Sequence, residues 1–273
     1  MKAGLDAPRG DKGGEAGAMI ALTRRPAFSL VNCEVEFVPR ERIDPELAFR
    51  QHEAYCRALR QMGVAVEVLP PDEMYPDSVF IEDNAIILDE LAVITSMGTP
   101  FRQDEAALLL PVLARHRRLV TISPPATIEG GDVLRVGKRL YVGVSSRTNR
   151  AGVEALRAIA EPLGYEVTPI VTRACLHLKT ACTSLDDETL LVNPAWLDSD
   201  ALGSFRLVHV PVEEPFGANV SCLPGGVLVQ ASCPLTRELI EARGYATTRV
   251  DLSEFSKANA GPTCLSLLIS PQS

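Results

Sequence analysis

Cys264 stands behind a Gly261-Pro262-Thr263 bend and ahead of the apolar run LSLLI, at a loop-to-strand junction. A thiol placed there can act as a nucleophile, provided a base or a cation lowers its pKa. Inert buried thiols are commoner, and the cysteines at 33, 56, 175, 182, 222 and 233 read as structural. His177 lies in CLHLKT, flanked by leucines in what reads as a buried strand, ahead of Lys179 and Thr180. An imidazole in such a place can carry protons near neutral pH, although a lone histidine in an apolar run is more often structural. PDSVFIEDNA puts Asp77, Glu82 and Asp83 in a β-type run where more apolar residues are expected, and IEGGD puts Glu129 and Asp132 around two glycines. Buried carboxylates are costly unless cations or hydrogen-bond donors meet them. One such motif alone is most simply a hairpin end or a Gly-Gly turn facing water. Two of them, at corresponding strand ends of a repeated unit, suit a cationic group held in a pocket.

The elements that must position these residues recur in order, not in letters. Apolar residues at helical spacing predict helices over roughly 44–62, 101–117, 149–163, 194–203 and 234–243. Around them lie β-branched runs at 65–69, 79–96, 118–123, 133–145, 166–172, 175–192, 206–212, 226–232, 248–252 and 264–270. Gly137-Lys138 and Asp186-Asp187 read as hairpin turns. Such a repeat fits one domain with pseudo-fivefold character, or an open α/β sheet with irregular insertions. Periodicity does not choose between them.

Other chemistry is poorly supported. The chain has no Cys-x-x-Cys, GxGxxG, Walker loop or GxSxG, and His52-Glu53 has no second histidine four residues on. With four histidines, a three-histidine metal site is not expected; His52 and His116 read as lying on charged helix faces, and His209 as an ordinary strand residue. The 273 residues are 46% hydrophobic and carry a net charge of −8, which argues against nucleic acid or an anionic membrane as the main partner. Residues 1–19 are rich in Gly, Ala and charge and read as a flexible tail, not a signal peptide. The longest apolar runs are too short to span a membrane, and the thiol inventory suits a reducing, cytoplasmic setting.

In order along the chain stand TRRPAFSLV, RQHEAY, PPDEMYPDSVFIEDNA, TSMGTPFRQDE, IEGGDVL, YVGVSSRTN, LHLKT, the Ala218-Asn219 pair and TCLSL. From about Leu22 to Ile269 this series resembles the dimethylarginine dimethylaminohydrolases of the guanidine-modifying pentein superfamily. The resemblance implies an α/β fold of five ββαβ blades around a central channel, with residues 20–273 forming one catalytic domain. It implies Cys264 as nucleophile, His177 as general acid/base and Glu129 as the carboxylate that orients it. Glu82 and Asp83 would grip the guanidinium, Asp77 the α-amino group or its neighbourhood, and Arg102 and Arg147 the α-carboxylate. Backbone carbonyls near Glu34, on an N-terminal flap, and at Ala258 would complete the substrate contacts. The substrate would be a small methylated arginine, turned over without metal or cofactor by a monomer or homodimer.

The chain departs from the family pattern at Asn259-Ala260, commonly Asp-Gly, and at Gln103, commonly a second arginine or lysine. Both departures are expected near the pocket. The rivals are arginine and agmatine deiminases, amidinotransferases and a non-catalytic pentein binding protein. The last would have no reason to keep Cys264, His177 and Glu129 together. A metal-dependent ureohydrolase would need Asp/His clusters that the chain lacks.

Overall fold

A computed structural model describes residues 17–271, so the tail expected over residues 1–19 lies, except for its last three residues, outside the described residues. The strands are β1 (Ile20–Arg24), β2 (Ala65–Leu69), β3 (Ala85–Ile87), β4 (Leu91–Ile94), β5 (Arg118–Thr121), β6 (Val133–Val136), β7 (Arg139–Val144) and β8 (Glu166–Val171). They continue as β9 (Cys182–Ser184), β10 (Thr189–Val192), β11 (Arg206–His209), β12 (Ser221–Leu223), β13 (Gly226–Gln230), β14 (Thr247–Val250) and β15 (Leu267–Ile269). The described residues arrange these as five three-stranded sheets: β3-β4-β5, β6-β7-β8, β9-β10-β11, β12-β13-β14 and β15-β1-β2. In every sheet the first strand runs antiparallel to the middle one, and the middle one parallel to the third.

That pairing dictates where the helices fall. An antiparallel pair closes through a short turn, whereas a parallel pair needs a crossover. The crossovers carry α1 (Pro45–Gln61), α2 (Leu110–Leu113) and α3 (Arg150–Ala160), then, beyond the separate short α4 (Leu178–Ala181), the helix α5 (Pro234–Glu241). Asp44 caps α1 by accepting from the Glu46 and Leu47 amides, and Asn149 caps α3 by accepting from Gly152. Two expected helices shrink. The 101–117 segment breaks into short 3-10 turns and the one-turn α2 around Pro111, and 194–203 keeps only a 3-10 turn over Asp200–Leu202. β1 and the three-residue β12 escape the sequence reading, being too short or too mixed to show alternation.

The middle strands explain the apolar runs. β4 and β10 are buried along their whole length because neighbouring sheets cover both faces. Between the sheets β3-β4-β5 and β6-β7-β8, Val93, Val133 and Val142 pack with Leu156 of α3. Strand β15 pairs with β1 as Ile20↔Ile269, so the two ends of the fold close one sheet. The first strands β3, β6, β9, β12 and β15 all line a central cavity of about 470 Å³. The result is a five-bladed α/β propeller, and the open-sheet alternative is excluded. Among the described residues no helix is long and apolar enough to cross a membrane.

Candidate active site

The turn that enters each first strand sits near the propeller axis, and these turns hold the chemistry. Ile81–Asn84 precedes β3, Gly130–Asp132 precedes β6, and His177 is the N-cap residue of α4, which leads into β9. The 79–96 run is therefore not continuous strand, and His177 is not in one. Asp132 is the reason at His177: its carboxylate accepts the Leu178 N–H at 2.9 Å and turns the chain into α4. The Gly130-Gly131 pair also exceeds a simple turn. A Cβ on Gly130 would fall 2.0 Å from the Glu82 carbonyl oxygen, and one on Gly131 2.5 Å from His177 Nδ1. Glycine lets adjacent blades bring their side chains together.

His177 Nε2 meets Glu129 Oε2 at 2.7 Å, while Nδ1 lies 3.7 Å from Asp83 Oδ1. Burial alone would lower the imidazole pKa, but Asp83, Glu129 and Asp132 outweigh it and raise the value to about 9. Burial works against the Glu129 charge too, yet the His177 bond and charge, with Arg102 and Arg147, hold this carboxyl below its ordinary range. The other Glu129 oxygen accepts the Gly98 N–H at 2.9 Å, so the carboxylate cannot swing. The pair is an imidazolium held by a carboxylate at neutral pH. Asp83, Glu129 and His177 bring metal-type ligand atoms within 4.8 Å of one another. A metal ion there would have to displace the proton that the surrounding carboxylates hold on the imidazole.

Cys264 lies at the floor of a small pocket shared with Asp83, His177, Asp77, Arg147 and Ala258. Its side chain is half-buried, but the sulfur is deep enough that burial, followed by the charges of Glu82 and Asp83, pushes the thiol up to about 12. The Gly261 N–H points at the sulfur from 3.4 Å and works the other way. A thiol in this state is neutral until a cation joins the carboxylates.

The remaining expected residues fall into place unequally. Asp77 is buried in the pocket wall and accepts the Glu34 N–H at 3.2 Å. Arg147 binds Glu34 Oε2 at 2.9 Å and Glu36 Oε2 at 3.3 Å, and Thr99 donates to Glu34 Oε1 at 2.8 Å. The flap around Glu34 thus closes the pocket through its side chain, a contact beyond the carbonyl expected there. The void left inside is about 20 Å³, room for about one water. Arg102 also lines the pocket, but its guanidinium is held by Glu105 and by Asp83 Oδ2 at 2.9 Å. As folded, it fixes Asp83 more than it presents a free clamp.

Glu82 does not line this pocket. Its carboxylate faces the central cavity, 2.5 Å from Lys179 Nζ, and accepts from Thr263 Oγ1 at 2.8 Å. Gln103 is exposed and away from the pocket, contrary to expectation, whereas Asn259 and Ala260 do line it. Asn259 has φ +63°, a left-handed conformation that Asn and Asp tolerate better than most side chains. His52 corrects a surface reading: it is buried on the inner face of α1 beside Cys56, and burial lowers its pKa to about 4. His116 falls in the turn after α2, near Glu67. Site-forming residues to which the sequence reading gave no role are Lys179, Glu105 and Thr148, whose hydroxyl accepts the Glu129 N–H, while Asp132, expected with Glu129 near a bound cation, instead fixes the Leu178 N–H. Asp132 at least was signalled by a buried-type acid in IEGGD.

Comparison with known proteins agrees with this geometry. A family profile described as N,N dimethylarginine dimethylhydrolase, eukaryotic, matches residues 36–197. The N(G),N(G)-dimethylarginine dimethylaminohydrolase of Streptomyces coelicolor is 41% identical over 250 residues, covering 90% of this chain and 95% of its own. The solved Pseudomonas aeruginosa enzyme of that name, complexed with citrulline, superposes with a TM-score of 0.88 at 33% identity, over 92% of this chain and 99% of its own. The N-terminal domain of cyanobacterial ArgZ, an arginine dihydrolase, shares the pentein fold at a TM-score of 0.84, 19% identity, and 93% and 98% coverage. A half-chain profile match, near full-length identity above 30% and a common five-bladed frame leave one assignment: this chain belongs to the dimethylarginine dimethylaminohydrolase family.

Proposed function

We propose that the chain hydrolyses asymmetric Nω,Nω-dimethylarginine, and Nω-monomethylarginine, to citrulline and dimethylamine or methylamine. The observation that carries this reading is a neutral thiol, Cys264, sharing a pocket with Asp83 and with an imidazolium held by Glu129. A guanidinium bound at Asp83 adds the missing positive charge, and the thiol releases its proton to solvent. The thiolate attacks the central guanidinium carbon, forming a C–S bond and a tetrahedral adduct. His177 gives its proton to the dimethylamine nitrogen and the C–N bond breaks, leaving an S-alkylthiouronium. The neutral imidazole then takes a proton from an entering water, whose oxygen attacks the same carbon. The C–S bond breaks, the adduct's hydroxyl proton passes to the departing thiolate to restore the Cys264 thiol, and citrulline leaves. Carboxylates around the cation hold it in line with the sulfur, and proximity supplies much of the barrier reduction. Glu82 supports the Asp83 turn and the Thr263 hydroxyl from below.

In this reading Arg147, with Arg102 behind it, supplies positive charge for the substrate α-carboxylate, and Asp77 and the Ala258 carbonyl meet the α-amino group. Glu34 and its flap close over them. Residues 20–273 act as one catalytic domain, because the site draws on turns of four blades. The pocket is complete within one chain, compatible with a monomer or a homodimer. Seven free cysteines suit a reducing compartment such as the cytoplasm. The test is citrulline release from asymmetric dimethylarginine, monomethylarginine and arginine, measured side by side. Turnover of the methylated substrates is expected; release from arginine alone would make a deiminase the better reading.

A further inference from the structure

The blade β12-β13-β14 contributes no side chain to the lining of the substrate pocket, yet its entering turn carries a buried asparagine against the nucleophile. Asn219 Oδ1 accepts the Thr263 N–H at 3.1 Å. That bond sets the orientation of the amide, because the opposite flip would face N–H against N–H. Nδ2 is thereby aimed at Cys264 Sγ, 3.8 Å away. The contact with the turn is intimate: a Cβ on Gly261 would fall 2.5 Å from Asn219 Cγ. From the other side, the Tyr55 hydroxyl of α1 donates to the Pro262 carbonyl at 2.9 Å and meets Ser266 Oγ at 2.8 Å. The nucleophile turn is gripped between these two residues.

The sulfur needs donors, because burial and the carboxylates of Glu82 and Asp83, in the turn before β3, oppose the thiolate. The Tyr55 hydroxyl lies near it on α1, and the His177 imidazolium, from the turn before β9, is the cation that shares its pocket. Lys179 is committed to Glu82. The Thr263 hydroxyl, 3.9 Å from Sγ, already donates its proton to Glu82. Among the described residues, the hydrogen-bond donors aimed at the sulfur are the Gly261 N–H at 3.4 Å and the Asn219 amide.

We propose that Asn219 is a positioning residue for the reaction: its carbonyl holds the Gly261–Cys264 turn, and its N–H stabilises the Cys264 thiolate as that forms. This rests on Cys264 being the nucleophile. The test compares wild type with Asn219→Ala, reading the rate of Cys264 alkylation by iodoacetamide across pH, with kcat and KM in parallel. Losing one donor to a charged acceptor raises a pKa by about one to two units. Each unit lowers the thiolate tenfold but returns about threefold in nucleophilicity, so alkylation should slow by about three- to tenfold at every pH below the thiol pKa. kcat should fall at least about tenfold, with KM little changed, since Asn219 lies outside the pocket lining. A purely structural role would lower Tm and leave the alkylation profile where it was, and that result overturns the proposal. Asn219→Asp keeps the size and the acceptor for Thr263, should fold, and provides a second arm on the alkaline side of neutrality. There its carboxylate has no proton to give, and alkylation slower than in wild type is expected; a wild-type profile overturns the proposal. If wild-type activity survives full alkylation of Cys264, the proposed function falls and this inference with it.

Discussion

His177 Nε2 and Glu129 Oε2 are 2.7 Å apart although 48 residues of chain separate them. They come from the entering turns of adjacent blades, before β9 and β6. Asp132 fixes the chain just after the histidine, and the Gly98 N–H fixes the other oxygen of the glutamate. Both partners are therefore oriented before any substrate arrives, as the proposed proton transfer to the leaving amine requires.

Removing the imidazole should stop both amine departure and water activation. His177→Ala is expected to lose about 10²–10⁴ in kcat, with Glu129→Gln leaving a weak, misoriented base. Retention of more than about a tenth of wild-type turnover by His177→Ala would give the acid/base role to another group.

The same pair makes stability depend on pH. His177 has a raised pKa, so its contribution is complete below about 6.5, its unfolded value, and is lost as pH rises through about 9. Glu129 has a lowered pKa, so its contribution is present above about 4.3 and is lost as pH falls through the folded value. The Tm gap between wild type and Glu129→Gln should therefore be widest between about pH 4.3 and 6.5 and narrow toward alkaline pH. Scanning fluorimetry across that range checks it; a gap of constant size would mean the ion pair adds nothing to folding.

Cys264→Ser should keep the fold and lose turnover by several orders of magnitude, because a serine hydroxyl is a poor nucleophile in a site built for a thiolate. A cationic haloacetamidine should label Cys264 much faster than neutral iodoacetamide does near neutrality, since its charge offsets Glu82 and Asp83 beside the thiol. Peptide mass mapping reads the site. Inactivation through any other cysteine would remove Cys264 from the mechanism.

Arg147 offers the test of substrate choice. Its partners Glu34 and Glu36 must part for an amino acid to enter a void of about 20 Å³. Arg147→Ala should cost roughly 2–5 kcal/mol, about thirty- to several-thousand-fold in kcat/KM, chiefly through KM. It should also erase preference over the decarboxylated analogue. Glu34→Gln frees the arginine and should lower KM a few-fold. A rise in KM for Glu34→Gln would mean that its carboxylate touches substrate, and equal use of both analogues by wild type would deny the clamp.

Much of this protein was legible in its letters. Apolar middle strands such as LAVI and TLLV, separated by helix-period segments, announce buried strands joined by crossovers, because side-chain spacing reports local geometry directly. Cys264, His177 and Glu129 stand out by type and by neighbouring turns, and the motif series from Leu22 to Ile269 carries the family likeness. What the letters did not contain is which faces meet. Ring closure, made by β15 on β1, chose the propeller over an open sheet and brought turns of different blades onto one axis. Packing then decided side-chain direction within single motifs: adjacent Glu82 and Asp83 point to opposite cavities, one to Lys179 and one to His177 and Arg102. His52 went inward and Gln103 outward for the same reason. A carboxylate or imidazole has the same letter wherever it points; its partner, its dielectric and hence its charge are properties of the assembled fold.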